Sequence, residues 1–380
     1  MKKVKKISAL MYAIFAVAIV VFTLIIYNQA PEFSLIEQSE NYSNEFIHGE
    51  VMGIGAPSVE GETQLTVRAN SGIEKGKTII APVSSINNFN TYKIGDEVQI
   101  SKTTEIATGI INYETADYYH QYGLTWISVI FAAITILIAR KKGIKAILGV
   151  IISLTLFYFV FLKMIIAGYS PVLACLIFTL IVTVLTIPLI HGFNKKSLSA
   201  IMAIFIGYFF SIYISFLFRN LAGLGNSPGE EFRMLGTMYA NIGLSDILIA
   251  SLFMGAIGAL IDTAISISSA IFEAAKEHAG QTFKKVYKIG MEVGKDILGS
   301  MINTLLFAYL ASALPFLIFV SLSQGSTLTD LINMDFIALE LTRTFIGAIS
   351  LVALIPITAS ISAYLLTKTK NVKLEIYKNL

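Results

Sequence analysis

One carboxylate is distinguished by its surroundings: Asp262 lies inside an apolar stretch that runs from Ser251 to Ser266. A charged side chain in the middle of a membrane-spanning helix is costly, and such a residue usually lines a site or pairs with a neighbouring group. At 1.5 Å per residue, Asp262 lies roughly 15 Å from Glu273 at the predicted cytoplasmic end of the helix. We therefore predict that Asp262 binds an ion, a proton or a solute, and internal pairing remains the alternative.

Small and hydroxyl-bearing residues recur around Asp262 at intervals of three and four, so they share one face of the helix. Glycines on its outer half predict close packing of a neighbouring helix. Hydroxyls on its inner half could bond across helices or coordinate a solute, and a later helix carries Asn303 and Thr304 at a similar depth. The predicted binding residues are Asp262, Ser266, Ser269, Asn303 and Thr304, and the predicted helix-packing positions are Gly255 and Gly258.

Three further ionisable residues lie near the outer ends of predicted spans. Glu340 and Arg343 stand three positions apart, which lets them pair with each other on a helix, and they remain open as binding residues or as a structural pair. Lys163 could extend its long side chain to the membrane surface, and this structural interpretation is favoured over a role in binding.

The residue types exclude several kinds of chemistry. An intramembrane aspartyl protease would need a second deep aspartate, and none is present, so no enzymatic activity is predicted. The four histidines and the single cysteine, Cys175, show no metal-ligand spacing, so neither a metal nor another cofactor is expected. A net charge of only +3 gives no indication of nucleic acid as a partner.

Composition identifies the class of protein. The 380 residues are 55% hydrophobic and only 14% charged, and the mean hydropathy is +0.72. Such a chain is too apolar for a soluble domain. We predict an all-α polytopic membrane protein with about eight transmembrane helices. These fall near residues 7–27, 121–139, 144–166, 171–190, 198–218, 244–270, 297–322 and 340–366, with a tight turn at 140–143 between the second and third.

Basic residues predict the orientation in the membrane. Lysines and arginines concentrate at both termini and in the loops that an even number of crossings would place on the same side. The positive-inside rule therefore predicts a multi-pass protein of the plasma membrane with both termini in the cytoplasm. The first span could instead be a cleaved signal peptide, but its apolar core is long and no A-x-A pattern follows, so an uncleaved anchor is favoured.

The segment 28–120 differs from the rest of the chain. Between residues 46 and 106, short alternating runs at 63–67, 78–83 and 97–100 are separated by turn residues. We predict a small extracytoplasmic all-β module, an OB-like barrel or a sandwich, with polar flanks whose tyrosines form an interfacial belt. The predicted domains are an anchor (1–27), the β module with its linkers (28–120), a seven-helix membrane domain (121–366) and a cytoplasmic tail (367–380).

Two segments carry a family resemblance. The stretch from Met254 to Ser269, MGAIGALIDTAISISS, resembles the signature of the YibE/F-like family of bacterial membrane proteins, and so does Gly290 to Tyr309. Pro356 to Ala359 matches the expected end of the last span. The similarity covers roughly residues 120–366, although Lys295 stands where the family has Arg and Ile302 where it has Thr. The resemblance implies an integral membrane permease that is sometimes accompanied by a shorter relative.

Two functions remain open from the sequence. The first is transport or export of a small solute, coupled to an ion or a proton through Asp262. The second is a scaffold without transport activity, which presents the β module outside the membrane and binds partners. The expected partners are the lipid bilayer and a small solute, with a homo-oligomer or a shorter family relative as further alternatives.

Overall fold

The structure, a computed structural model, describes residues 42–55, 63–83, 92–224, 243–277, 282–322 and 327–378. The chain divides into two compact units, Glu32–Gly143 and a second that includes the chain from Ile144 onward. This boundary lies within the helix that begins at Gln121, so the first part of that helix groups with the β module rather than with the membrane domain predicted to begin at residue 121.

The β module is a nearly closed barrel. Its five strands lie in the order β3-β2-β1-β4-β5, and every neighbouring pair is antiparallel. A parallel bridge between Val83 and Thr115 brings the end of β3 to β5. The predicted small barrel is confirmed, and OB folds are likewise five-stranded and partly open. The strands are β1 (Tyr42–Ile54), β2 (Gln64–Ala69), β3 (Thr78–Pro82), β4 (Glu97–Glu105) and β5 (Ile111–Tyr118).

The barrel ends later in the chain than predicted, because β5 occupies a segment that the polar composition had assigned to a linker. Tyr113 and Tyr118 pack against the barrel core, and the ring centroids of Tyr118 and Tyr92 are 4.8 Å apart. Tyr113 and Tyr118 therefore belong to the barrel rather than to the predicted interfacial belt. Tyr122 and Trp126 do lie on the following helix, and both are exposed.

A charged cluster is partly buried in the barrel. Lys102 points inward on β4, and its side chain and that of Glu74 are each 10% exposed. The Lys102 ammonium lies 3.1 Å from Glu74 Oε1 and 3.6 Å from Glu45 Oε2, while Lys77 lies 2.7 Å from Glu74 Oε2. Hydrogen bonds from Lys77 and Lys102 lower the pKa of Glu74. The hydrogen bond to Glu74 raises the pKa of Lys102.

Six helices in the described residues are long and apolar enough to cross a membrane. They are α1 (Gln121–Ile166), α2 (Pro171–His191), α3 (Lys195–Leu221), α4 (Leu244–Glu277), α5 (Phe283–Leu322) and α7 (Asp335–Lys378), with the short α6 (Leu328–Ile332) between the last two.

The predicted count of eight crossings is not confirmed. Two predicted crossings, 121–139 and 144–166, fall on the single helical run α1, and the crossing at 7–27 lies outside the described residues. Within α1 the backbone leaves the helical conformation at Arg140, where φ is 50° and ψ is −126°. Arg140 is the one described non-glycine residue with a positive φ, and it opens the predicted turn at 140–143.

Helices α4 and α7 form the centre of the membrane-embedded unit. Helix α7 packs along α3, α4 and α5, and α4 also packs against α2 and α3. The shared core contains Tyr208 of α3, Phe253 and Leu260 of α4, and Leu354 of α7, each fully or almost fully buried. Helix α5 is the most exposed of the six: only 17% of its most apolar stretch is buried.

Candidate functional site

The candidate site is the polar face of α4, which changes in exposure along its length. Ser251 and Gly255, near the start of the helix, are covered by side chains from α5 and α7. Gly258, Asp262 and Ser266 follow on the same face and are exposed, and Ser269 is half-buried. The face is therefore closed at the end predicted to be extracytoplasmic and open from Gly258 toward the other end.

A charged pair from α7 closes the first part of this face. Arg343 donates from Nη1 to Glu340 Oε1 over 2.6 Å and from Nη2 to Ser251 Oγ over 3.2 Å. The pair spans one turn of α7, as its spacing predicts. Glu340 is only 4% exposed, and among the described residues its Oε2 atom and Arg343 Nε have no hydrogen-bond partner. A buried carboxylate oxygen without a donor is unusual and can accept a proton or a ligand hydrogen bond.

Tyr309 of α5 covers the next turn of the α4 face, at Gly255. Its hydroxyl donates to the Gly255 carbonyl oxygen over 2.6 Å. A Cβ on Gly255 would overlap the Tyr309 hydroxyl, so only glycine allows this approach. Gly255 is thus a point of close helix contact, as predicted. Tyr309 was not identified from the sequence, where the only signal was a tyrosine within an otherwise apolar stretch of α5.

Gly258 differs from the prediction. No atom lies within 4 Å of the position that a Cβ on Gly258 would occupy. The residue faces open space because α5 contacts this face of α4 at Gly255 and not at Gly258. Gly258 is therefore not a packing position among the described residues, and its spacing alone did not distinguish it from Gly255.

Asp262 forms no hydrogen bond or ion pair with any described residue. Arg343, one of the two cations considered as its partner, is engaged with Glu340 and Ser251. Lys163, the other, lies in the short helical turn that ends α1 and is 5% exposed. The predicted extension of Lys163 to the membrane surface is therefore not observed, because the side chain is buried within the protein.

Helix α5 runs antiparallel to α4 beside the site. Gly255 meets Tyr309, and a Cβ on Gly294 would lie 3.2 Å from Ile267 Cδ1. Between these contacts, the α5 residues at the depth of Asp262 lie near Gly299 and Ser300, since both helices rise equally per residue. A Cβ added to Gly299 would have no atom within 4 Å, so α5 leaves open space beside that residue at this depth.

Asn303 and Thr304 lie about one turn from this depth, toward Tyr309. Both are exposed. The Thr304 hydroxyl donates to the carbonyl of Ser300 in its own helix, and no hydrogen bond joins either residue to Asp262, Ser266 or Ser269 among the described contacts. The predicted residues of α4 and of α5 are thus exposed or half-buried on two neighbouring helices, and the described contacts do not join them into one set of ligands.

The predicted residues provide a carboxylate and hydroxyls on α4, and an amide and a hydroxyl at exposed positions of α5. The carboxylate can take up a proton or a cation, and the hydroxyls and the amide can bind a polar solute. Among the described residues, no group of three or more His, Cys, Asp or Glu side chains could hold a metal ion.

The chain matches a known protein family. The model of the YibE/F-like protein family matches residues 127–368, a range that contains all the predicted site residues and excludes the β module. No curated protein and no solved structure matches the chain.

Proposed function

The chain belongs to the YibE/F-like family, and we propose that it is a membrane transporter of a small solute whose path follows the open part of the α4 face. The observation that carries this proposal is Asp262, an exposed carboxylate halfway along a membrane-spanning helix, without a partner among the described residues. Intramembrane carboxylates face the protein interior or water-filled cavities, because a charge in contact with lipid is costly.

The neighbours of Asp262 support a path lined by water. Gly258 and Ser266 continue the exposed surface on α4, and Gly299 and Asn303 provide small or polar positions on α5. A lipid-facing surface at this depth would instead carry large apolar side chains, as α3 does at Phe209 and Tyr213 and as α5 does at Phe307, one turn from Asn303. The small and polar residues of α4 therefore favour a solute path along that helix.

The closed end of the face supports a transport cycle. Arg343 on Ser251 and Tyr309 on Gly255 join α7 and α5 to the start of α4. Alternating access requires that a path open to one side is sealed toward the other. In this proposal, the two contacts form the seal toward the extracytoplasmic side, and Asp262 stands in the part open to the cytoplasm.

Asp262 is also the proposed coupling residue. A carboxylate alternates between a charged and a neutral state as a proton binds, and coupling can use this difference. The Asp262→Asn change keeps the shape and hydrogen-bonding capacity of the side chain but fixes it in a neutral state. It therefore separates coupling from folding.

Flux measurements test the proposal. The wild-type protein, Asp262→Asn and a control variant, Glu292→Gln, are reconstituted into vesicles and screened against small anions, cations and metals. Glu292 is an exposed carboxylate whose side chain is 61% accessible near the start of α5. We expect a solute that the wild type and Glu292→Gln transport and that Asp262→Asn, although inserted and folded, does not transport or transports without pH dependence. Equal flux through Asp262→Asn would overturn the assigned role, and no flux of any solute would overturn transport.

The alternative function is a membrane scaffold that binds partners and presents the β module. The exposed surface around Asp262 and the low burial of α5 are the observations that favour it, since a partner protein would also shield a carboxylate from lipid. A scaffold predicts no flux, together with loss of a co-purifying protein when Asp262 is changed to Asn.

A further inference from the structure

Helices α3 and α7 pack through matching rows of residues spaced by four. The hydroxyls of Ser199 and Ser362 are hydrogen-bonded to each other. Further along α3, a Cβ on Gly207 would lie 2.9 Å from Leu354 Cδ1. Gly207 follows Ser199 by the same interval at which Leu354 precedes Ser362. The two contacts therefore define one antiparallel register.

One more step in this register places Ser211 of α3 opposite Ser350 of α7. Each lies four residues, or about 6 Å of helix, from the contact between Gly207 and Leu354. Both residues are 0% exposed, and among the described residues neither hydroxyl has a hydrogen-bond partner. An unpaired buried hydroxyl is destabilising. Because the two unpaired hydroxyls lie at the same level of one helix contact, we expect a single group to bind both.

The neighbouring hydroxyls in the same rows of α3 and α7 all have hydrogen-bond partners. Ser215 donates to the carbonyl of Ser211 over 2.8 Å, and Thr358 donates to the carbonyl of Leu354 over 2.9 Å. A serine in a helix often bonds the carbonyl of its own preceding turn in this way. Ser211 and Ser350 do not, so their hydroxyls are available to a group between the helices.

The surroundings restrict the chemistry of that group. On one side, Gly207 approaches Leu354 and Leu260. On the other side, Ile214 and Ile346 belong to a buried apolar cluster. No charged residue occupies either row between Ser199 and Ser215 or between Ile346 and Ser362. A charge would be strongly disfavoured here, whereas a small neutral group that can hydrogen-bond to both hydroxyls matches their chemistry.

We propose that Ser211 and Ser350 bind one buried water molecule that bridges α3 and α7 in the middle of the membrane. Buried waters occupy sites where two to four polar groups would otherwise lack partners. The two hydroxyls can each donate to the water or accept from it. The site lies away from the α4 face and does not depend on the proposed transport function.

Thermal unfolding in detergent tests the bridge. Ser211→Ala and Ser350→Ala are each expected to lower the melting temperature by about 2 °C or more, because loss of one hydroxyl displaces the water and leaves the other unpaired. The double variant should melt no lower than the less stable single variant. Ser215→Ala is the matched control, since its hydroxyl bonds only its own helix, and should change less. An unchanged or higher melting temperature in the single variants, or additive losses in the double variant, would show that the site is empty.

A second measurement uses the unmodified protein. X-ray radiolysis in H₂¹⁸O oxidises side chains that lie beside bound water. Leu354 is expected to incorporate ¹⁸O, whereas Leu351, which is 1% exposed and lies on another face of α7, is not. Absence of label at Leu354, or equal labelling of both leucines, would overturn the proposal.

Discussion

The three ionisable residues of the site differ in how their charge is compensated inside a membrane-spanning segment. Glu340 and Arg343 neutralise each other within one turn of α7, and the Ser251 hydroxyl oxygen accepts a hydrogen bond from the second Nη atom of Arg343. Asp262 has no such arrangement among the described residues and is exposed. The α4 face is therefore covered at one end by a neutralised charge pair from α7 and carries at its middle a carboxylate that needs solvent or a ligand.

Removal of one member of the buried pair should be costly. Arg343→Ala leaves Glu340, whose side chain is 5% exposed, as an unpaired carboxylate. We expect a loss of about 3 kcal/mol in the free energy of unfolding, measured by denaturation of the detergent-solubilised protein. Lys288→Ala is the control, because the Lys288–Glu292 pair is 3.8 Å apart and its side chains are 77% and 61% exposed. A stability of Arg343→Ala equal to that of the control would contradict a stabilising role for the pair.

The sequence indicated which residues of the site carry charge. It did not indicate all the residues that pack around them. The apolar surroundings of Asp262 and the spacing of Glu340 and Arg343 are local features, so they can be read directly from the chain. Tyr309 closes a contact with Gly255, which lies more than fifty positions earlier. Such a contact depends on how α4 and α5 pack, and no local pattern specifies that packing.

At the scale of elements, two glycines on one face of α4 have opposite environments. Gly255 lies against Tyr309, whereas Gly258 has open space. Gly255→Ala should therefore destabilise the protein by about 1–3 kcal/mol through overpacking. Gly258→Ala, a matched control one turn away, should not destabilise the protein and should stabilise it by up to about 1 kcal/mol, because alanine favours a helix more than glycine does. Thermal unfolding of both variants measures the difference, and equal effects would mean that α5 does not approach α4 as described.

The barrel is predicted to respond to acid through Glu74. Because its pKa is lowered in the folded state, the stabilisation that it provides is complete above the usual value of about 4.3 and is lost as the pH falls through the lowered value. Lys102, whose pKa is raised, loses its contribution only as the pH rises above about 10.4. Glu74→Gln should therefore weaken the barrel at pH 7 and should differ little from the wild type in strong acid.

Hydrogen exchange measures this effect in the full-length protein. The protection of β4 amides, which flank Lys102, is compared between the wild type and Glu74→Gln at each pH, so that intrinsic exchange rates cancel. The ratio of protection should fall toward one as the pH decreases from about 7 to about 3. A ratio that does not change with pH would contradict a role for the Glu74 carboxylate.

The elements themselves were predictable where one period dominates the sequence. Alternating residues located β2, β3 and β4, and long apolar runs located the membrane helices. Strand β5 escaped detection because its sequence, INYETADY, has no regular alternation of apolar and polar residues, so its composition resembles that of a linker. In α1, two apolar runs predicted two helices with a turn at 140–143, and the helical run is broken by a kink at Arg140, where that turn begins.

At the scale of the whole molecule, transport depends on what surrounds the open α4 face. In the proposed transporter, water reaches Asp262 from the cytoplasmic side, while the contacts made by Arg343 and Tyr309 close the other end. Lipid cannot occupy this surface at low cost while Asp262 is charged. A partner protein could cover this surface instead, and it would exclude water from it.

Thiol labelling tests this central claim most directly. Asp262→Cys and Phe209→Cys are each introduced together with Cys175→Ala, and a charged, membrane-impermeant thiol reagent is applied to the cytoplasmic side. Phe209 is the matched control, because it is 59% exposed near the middle of α3 but lies among apolar residues. We predict that Asp262→Cys reacts and that Phe209→Cys does not. Equal lack of reaction at both positions would contradict a water-lined path at Asp262.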